Sequence, residues 1–188
     1  MKESRLYKIL RPLVKALTVV FLRPEFKGIE NIPKEGRIIL AGTHTNNLDC
    51  LLVMSSTKRC VHFLAKDELW KGPKKILFSN MGLIPVNRRE KDKSVIPCTI
   101  NCLKDEKLVA IFPEGTFSKD HKLLPFKIGT VKIAHDSNTP IVPFVIKGRY
   151  FRRGLKIIFG KPFKVESSDL EKENEKFRGK IITMLKEN

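Results

Sequence analysis

The stretch Ile38-Ile39-Leu40-Ala41-Gly42-Thr43-His44-Thr45-Asn46-Asn47-Leu48-Asp49 decides how this chain is read. An apolar run ends in the small pair Gly42-Thr43, and His44 follows at once. Asp49 stands five positions later, where a new apolar pattern begins. A short apolar run closed by turn residues reads as a buried strand, here one that delivers a histidine to its mouth. On a continuous α-helix, residues i and i+5 point about 140° apart, at ~100° per residue. If the two side chains meet, the backbone between them includes a turn, with His44 in the loop and Asp49 in the first helical turn. Asn46, Asn47 and Asp49 are all suited to cap such a helix. Taken alone, the stretch leaves two readings open: a general base beside its carboxylate, or a polar loop residue followed by a helix cap.

Outward from there, strand-like and helix-like segments alternate. Val61-His62-Phe63-Leu64-Ala65 is the next strand candidate, with His62 structural between apolar neighbours. Leu108-Val109-Ala110-Ile111-Phe112 reads as a buried strand stopped by Pro113-Glu114-Gly115-Thr116, and strands are expected again over 141–146 and 155–159. Met81 to Arg89 holds a short apolar run that Pro85 demotes to an edge or interrupted strand. Helices are expected near 47–57, 67–79, 93–103 and 129–136, and from Ser168 onward; Pro97 weakens the expectation for 93–103. Residues 23–36 read as a short strand and a Pro/Gly connector, and 118–127 as a charged loop. The alternation implies an α/β fold: a single domain over 25–188 with a mostly parallel central sheet flanked by helices.

Ahead of it, residues 1–24 carry an amphipathic pattern. Leu6, Ile9, Leu10, Leu13, Leu17, Val20 and Phe21 recur at helical spacing, with Lys2, Arg5, Lys8, Arg11 and Lys15 off that stripe. A basic amphipathic helix suits the headgroup region of an anionic membrane, or docks its stripe on the protein's own core. The run Ala16 to Leu22 is far short of the ~20 apolar residues that span a bilayer, and a cleaved signal peptide is not expected.

The chain of 188 residues is long enough for one domain with a proper core. Its formal charge of +17 predicts attraction to polyanions: nucleic acid, anionic lipid or phosphorylated substrates. Nucleic acid is the weakest of these, because one Trp and two Tyr leave little to stack on bases and no zinc or helix-turn-helix pattern is present. Cys50, Cys60, Cys98 and Cys102 lack paired zinc spacing and read as reduced thiols of a cytosol-facing protein.

Three polar clusters follow strand-like runs: Thr43-His44 with Asp49, Asn87-Arg88-Arg89, and Glu114-Gly115-Thr116. Ligands of open α/β sheets bind outside the carboxyl ends of strands, where such loops converge. These clusters carry a resemblance. His44-Thr45-Asn46-Asn47-Leu48-Asp49, Gly82 to Arg88, Phe112 to Ser118 and Thr139 to Pro143 come in the order of four sequence blocks, with Leu124 to Gly129 also in keeping. The chain resembles the glycerolipid acyltransferases of the 1-acylglycerol-3-phosphate acyltransferase (PlsC-like) type. The likeness runs from about residue 25 to 165. The spacing of histidine and aspartate alone is unspecific; followed by the other three blocks it is a strong signal. Two positions depart from the pattern: Phe117 stands where the family usually has arginine, and Thr43 where it commonly has asparagine.

The resemblance implies transfer of a fatty acyl group from a thioester, acyl-CoA or acyl-acyl carrier protein, to the hydroxyl of a lysophospholipid, with no bound cofactor and no metal. It implies His44 as general base and Asp49 as its orienting carboxylate. It points to Arg88 for the acceptor phosphate, helped by Lys127, to Glu114 for the glycerol part, and to Gly115 and Thr116 for the shape of the loop. It also implies peripheral attachment at the cytoplasmic face of the cell membrane. Phe117 leaves a rival open, a different lysolipid acceptor. A catalytically silent lipid-binding module is a further rival, against which the intact His44 and Asp49 speak.

Overall fold

Every residue of strand β2 (Ile38–Gly42) is buried. A strand apolar on both faces needs cover on both, the situation inside a parallel sheet. The structure, a computed structural model, describes residues 5–66, 68, 81–86, 94–118 and 122–187. Among these, β2 is joined by β1 (Glu25–Lys27), β3 (Val61–Lys66), β4 (Ile84–Val86), β5 (Leu108–Ile111), β6 (Ile141–Lys147) and β7 (Lys156–Phe159). The sheet order is β1-β7-β6-β2-β5-β3-β4. All pairings are parallel except β6 with β7, which run antiparallel.

The alternation along β2 sorts its side chains into two cores. Ile38 and Leu40 pack with Leu52, Val53, Phe63 and Phe144 under helices α1 (Arg5–Leu22) and α2 (Asp49–Ser56). Ile39 and Ala41 face the other way, with Leu103, Val131, Ile133, Phe177 and Ile181. That side is covered by α3 (Val95–Lys104), α4 (Gly129–Asp136) and α5 (Leu170–Glu187). The expected α/β architecture is therefore the observed one. Pro85 lies on β4, an edge strand, where its missing N–H need break no inner ladder bond. Pro97 sits in the first turn of α3, where an orphan N–H is absent at little cost. His62 is fully buried, with Nδ1 2.6 Å from the carbonyl of Gly82, a structural role as expected. All four cysteines are free. The helix expected at 67–79 lies outside the described residues, as do Asn87, Arg88 and Arg89.

α1 departs from the simplest reading of its pattern. The face that packs on the domain carries Tyr7, Thr18 and Leu22, all buried, with Arg11 and Val14 between them. Tyr7 accepts a hydrogen bond from the Val61 amide at 3.1 Å, and Arg11 donates to the Thr57 carbonyl at 2.6 Å. Most of the stripe selected by hydrophobic period, Ile9, Leu13, Leu17, Val20 and Phe21, is exposed. The helix thus docks through one face and holds out its more apolar one.

Because β2, β5 and β6 run parallel, their carboxyl ends lie on one edge of the sheet. The loops that begin at Thr43, Phe112 and Gly148 meet there.

Candidate active site

His44 leaves β2 two residues after its last pair and enters a loop braced from three sides. Its amide donates to Glu114 Oε1 at 2.8 Å, and its carbonyl accepts from the Ser118 amide at 3.2 Å. Just before it, Thr43 Oγ1 accepts from the Ile146 amide at 2.9 Å, tying the end of β2 to β6. The ring stacks on Phe112, centroids 3.9 Å apart and planes 14° from parallel, and meets the edge of Phe117 at 5.8 Å.

The turn required by the i, i+5 spacing is present, and it brings the two groups together. His44 Nδ1 lies 2.9 Å from Asp49 Oδ2, with the carboxylate fully buried and the imidazole side chain 14% exposed. The same oxygen accepts from the amides of Thr45 at 2.6 Å and Asn46 at 2.9 Å. Asp49 opens α2 but is not spent on capping it; it reaches back and organises the loop that carries the histidine. Tyr150, 101 residues later in the chain, donates its hydroxyl to Asp49 Oδ1. Burial, and then the charge of Asp49, push the Tyr150 phenol far above its usual range, so it stays a donor. With its oxygens accepting throughout, Asp49 takes the Nδ1 proton of His44 as a hydrogen bond and leaves Nε2 as the basic nitrogen.

Glu114 is buried, and its two oxygens hold two loops: Oε1 accepts from His44 as above, and Oε2 from the Leu124 amide at 2.9 Å. Burial raises its pKa, against the pull of those two amides. Gly115 takes φ +68°, and a Cβ there would fall 2.7 Å from Lys127 Nζ. Glycine at this point lets the turn close against the lysine. Cys50, next to Asp49, has its thiol pushed up to about 12, chiefly by burial, so it is no thiolate nucleophile at neutral pH.

His44 lines two cavities. One, of ≈ 350 Å³, is walled by Leu64, Ile96, Ile111 and Ile133, with Gly115 and Lys127 on its margin. The other, of ≈ 380 Å³, is bordered by Glu114 and three cations, Lys122, Lys147 and Arg149. Of the residues singled out in the sequence, His44, Asp49, Glu114, Gly115 and Lys127 thus converge. Thr116 is exposed and lines neither cavity, and Arg88 lies outside the described residues. Sequence reasoning missed Tyr150, whose separation from Asp49 leaves no local signal. It also missed Lys147 and Arg149, although they stand at the end of β6 and just past it, where the other clusters also fall.

Comparison with known proteins adds a family to this geometry. A family model described as Acyltransferase matches residues 23–147. The chain is similar to a 1-acyl-sn-glycerol-3-phosphate acyltransferase of Bacillus subtilis (strain 168), 31% identical over 144 residues, covering 71% of this chain and 70% of the relative. It is 32% identical over 161 residues to one from Borreliella burgdorferi, covering 78% of this chain and 64% of that one. It is 28% identical over 144 residues to the human alpha form, of which it spans about half, 51%. Its fold is that of the Thermotoga maritima 1-acyl-sn-glycerophosphate (LPA) acyltransferase PlsC: TM-score 0.78 at 23% identity, covering 96% of this chain and 79% of that one.

Proposed function

Because the chain belongs to the acyltransferase family, we propose that it moves a fatty acyl group from an acyl thioester to the free hydroxyl of 1-acyl-sn-glycerol-3-phosphate, giving phosphatidic acid. The observation that carries this reading is His44, its imidazole bonded to the buried Asp49 and the residue lining two cavities. A transfer between two substrates needs a base that both can reach. Nε2 removes the proton from the acceptor hydroxyl as its oxygen attacks the thioester carbonyl. The imidazolium so formed is stabilised by Asp49, and its proton goes to the sulfur that leaves when the tetrahedral intermediate collapses. No acyl-enzyme is needed, since the substrate itself brings the alcohol.

The acceptor's chain suits the cavity walled by Leu64, Ile96, Ile111 and Ile133, with Lys127 at its margin for the phosphate. Arg88 is our choice as second phosphate ligand, because Val86, two residues earlier, lines that same cavity. The donor, acyl-CoA or acyl carrier protein, then approaches past Lys122, Lys147 and Arg149. Glu114 positions the glycerol part only while also bracing the histidine loop.

A second reading, transfer to a different lysolipid, is favoured by Phe117, exposed beside the His44 ring in place of the family's arginine. An arginine fork and a phenyl ring are not interchangeable at a phosphate site. The test is to incubate the protein with a labelled acyl thioester and a panel of phosphate-bearing and neutral lysolipids, and to resolve the products. Phosphatidic acid is the expected main product, and F117R should lower KM for the phosphate-bearing acceptor several-fold. Product from neutral lysolipids alone, unchanged in F117R, would establish the second reading.

Substrate and product of this reaction live in a bilayer. No helix among the described residues is long and apolar enough to cross a membrane. The exposed stripe of α1, with lysines beside it, fits peripheral attachment to an anionic cytoplasmic leaflet. Since Tyr7 and Leu22 belong to the core, surface substitutions test this better than truncation. L13D/L17D is expected to weaken binding to phosphatidylglycerol-containing vesicles at least tenfold while leaving turnover of a detergent-dispersed acceptor near wild type. Equal loss in both measurements would assign the stripe to packing.

A further inference from the structure

The connection from β6 to β7, Gly148-Arg149-Tyr150-Phe151-Arg152-Arg153-Gly154-Leu155, holds a group that the reaction does not use. Its neck is pinched: Gly148 has φ +90°, and a Cβ there would lie 2.4 Å from the Gly154 carbonyl oxygen. The Arg152 amide closes the tip by donating to the Arg149 carbonyl at 3.2 Å. Tyr150 turns inward to Asp49, which fixes the tip relative to the catalytic pair. Phe151 turns outward. It is 70% exposed and takes φ +59°, a conformation in which glycine or asparagine is easier to place than a phenyl-bearing residue. Arg149, Arg152 and Arg153 flank it in sequence, all exposed, and none pairs with a carboxylate among the described residues.

A strained, exposed phenylalanine flanked in sequence by exposed arginines has the chemistry of a membrane-interface anchor: an aromatic body for the acyl boundary and guanidinium groups for lipid phosphates. The position agrees. The first half of α1 lies beside the end of α2 and the start of β3, so its last turn points to the carboxyl edge of the sheet. Leu22 and Leu155 share one core, and the Glu25 amide bonds the Leu155 carbonyl at 2.9 Å. The last turn of α1 carries the exposed Val20 and Phe21, at 62% and 66%. Two apolar projections therefore flank the same end of the molecule, the end into which His44 opens.

We infer that the 149–153 turn is a second lipid contact, Phe151 dipping into the interface of an anionic leaflet while Arg152 and Arg153 engage lipid phosphates. With α1 it gives the protein two separated footholds, which hold the mouth of the site against the bilayer. The inference rests on the proposed function only in taking the bilayer as the source of the acceptor. Its test reads lipid contact directly, so the two fail separately.

The full-length F151W variant, compared with the wild type and its single native Trp, is mixed with vesicles of equal phosphatidylglycerol and phosphatidylcholine, with and without bromine-labelled acyl chains. A blue shift and bromine quenching beyond those of the wild type are expected. In parallel, F151D and R152E/R153E should lower affinity for these vesicles roughly tenfold or more, with turnover of a detergent-dispersed acceptor unchanged. An F151W spectrum that ignores the vesicles, or tip variants that bind them as the wild type does, would overturn the proposal. If the tip variants kept their vesicle affinity but lost turnover with an acyl-carrier-protein donor alone, the turn would be a docking site for an acidic protein instead.

Discussion

H44A is expected to fold and to lose transfer, with kcat/KM falling by on the order of 10²–10⁴, the usual contribution of general base help to a hydroxyl nucleophile. The fold should survive because the contacts that hold the loop are made by the histidine's backbone, to Glu114 and from Ser118. D49N should fall by a comparable factor, by a different route. An asparagine there keeps its oxygen toward the amides of Thr45 and Asn46 and turns its NH₂ to Tyr150, whose hydroxyl can accept. The tautomer of His44 is then preserved and only the charge beside the ring is lost. The imidazolium that forms during transfer then lacks its counter-charge, so kcat falls more than KM rises. Y150F should act more weakly, since the carboxylate keeps its charge and loses only one of its donors. A kcat loss in Y150F smaller than that in D49N, with KM held, is expected if the phenol, carboxylate and imidazole act as one chain. Wild-type turnover in H44A would remove the mechanism, and wild-type turnover in Y150F would reduce Tyr150 to packing.

The contrast between Asp49 and Tyr150 shows what the sequence could convey. The strand endings were legible because buried parallel strands have no polar face, so the first polar residue after each run marks the sheet's edge. The His44–Asp49 contact followed from helical geometry once a turn was required between them. Tyr150 has no such arithmetic: its partner is set by the antiparallel return from β6 to β7, a tertiary fact. α1 left two readings open, a stripe for a membrane or one docked on the core. Hydrophobic period identifies the most apolar face, and burial against the core is usually its cause. Here the domain took the face with Tyr7, Thr18 and Leu22, and most of the stronger stripe stays exposed. For Glu114 the resemblance implies a place beside the glycerol part of the acceptor, and that says nothing of what its carboxylate holds. It also braces the loops at His44 and Leu124, a use that needs both loops in view.

G42A should damage the protein more than any other single methylene-scale change near the site. Gly42 is the last residue of β2 and pairs with Phe144 of β6. A Cβ at this position would stand 1.9 Å from the Phe144 carbonyl oxygen and 2.7 Å from its carbonyl carbon and ring Cδ2. That oxygen also accepts from the Thr43 amide at 3.3 Å, so it cannot swing aside without opening the β2–β6 ladder at the centre of the sheet. Overpacking of this kind costs about 1–3 kcal/mol where side chains can give way; backbone against backbone belongs at the upper end or beyond. For a chain of this size, ~3 kcal/mol corresponds to a fall in Tm of roughly 6–12 °C. G129A is the control, because nothing lies within 4 Å of the added Cβ and the residue opens α4; its Tm should hold or rise slightly. Since His44 is placed by the strand that Gly42 ends, G42A should also lose turnover well below its own Tm, as a displaced base costs rate before the fold is lost. Matching melting curves for G42A and G129A would mean that β2 and β6 do not approach as closely as described, and the support for the histidine would have to be sought elsewhere.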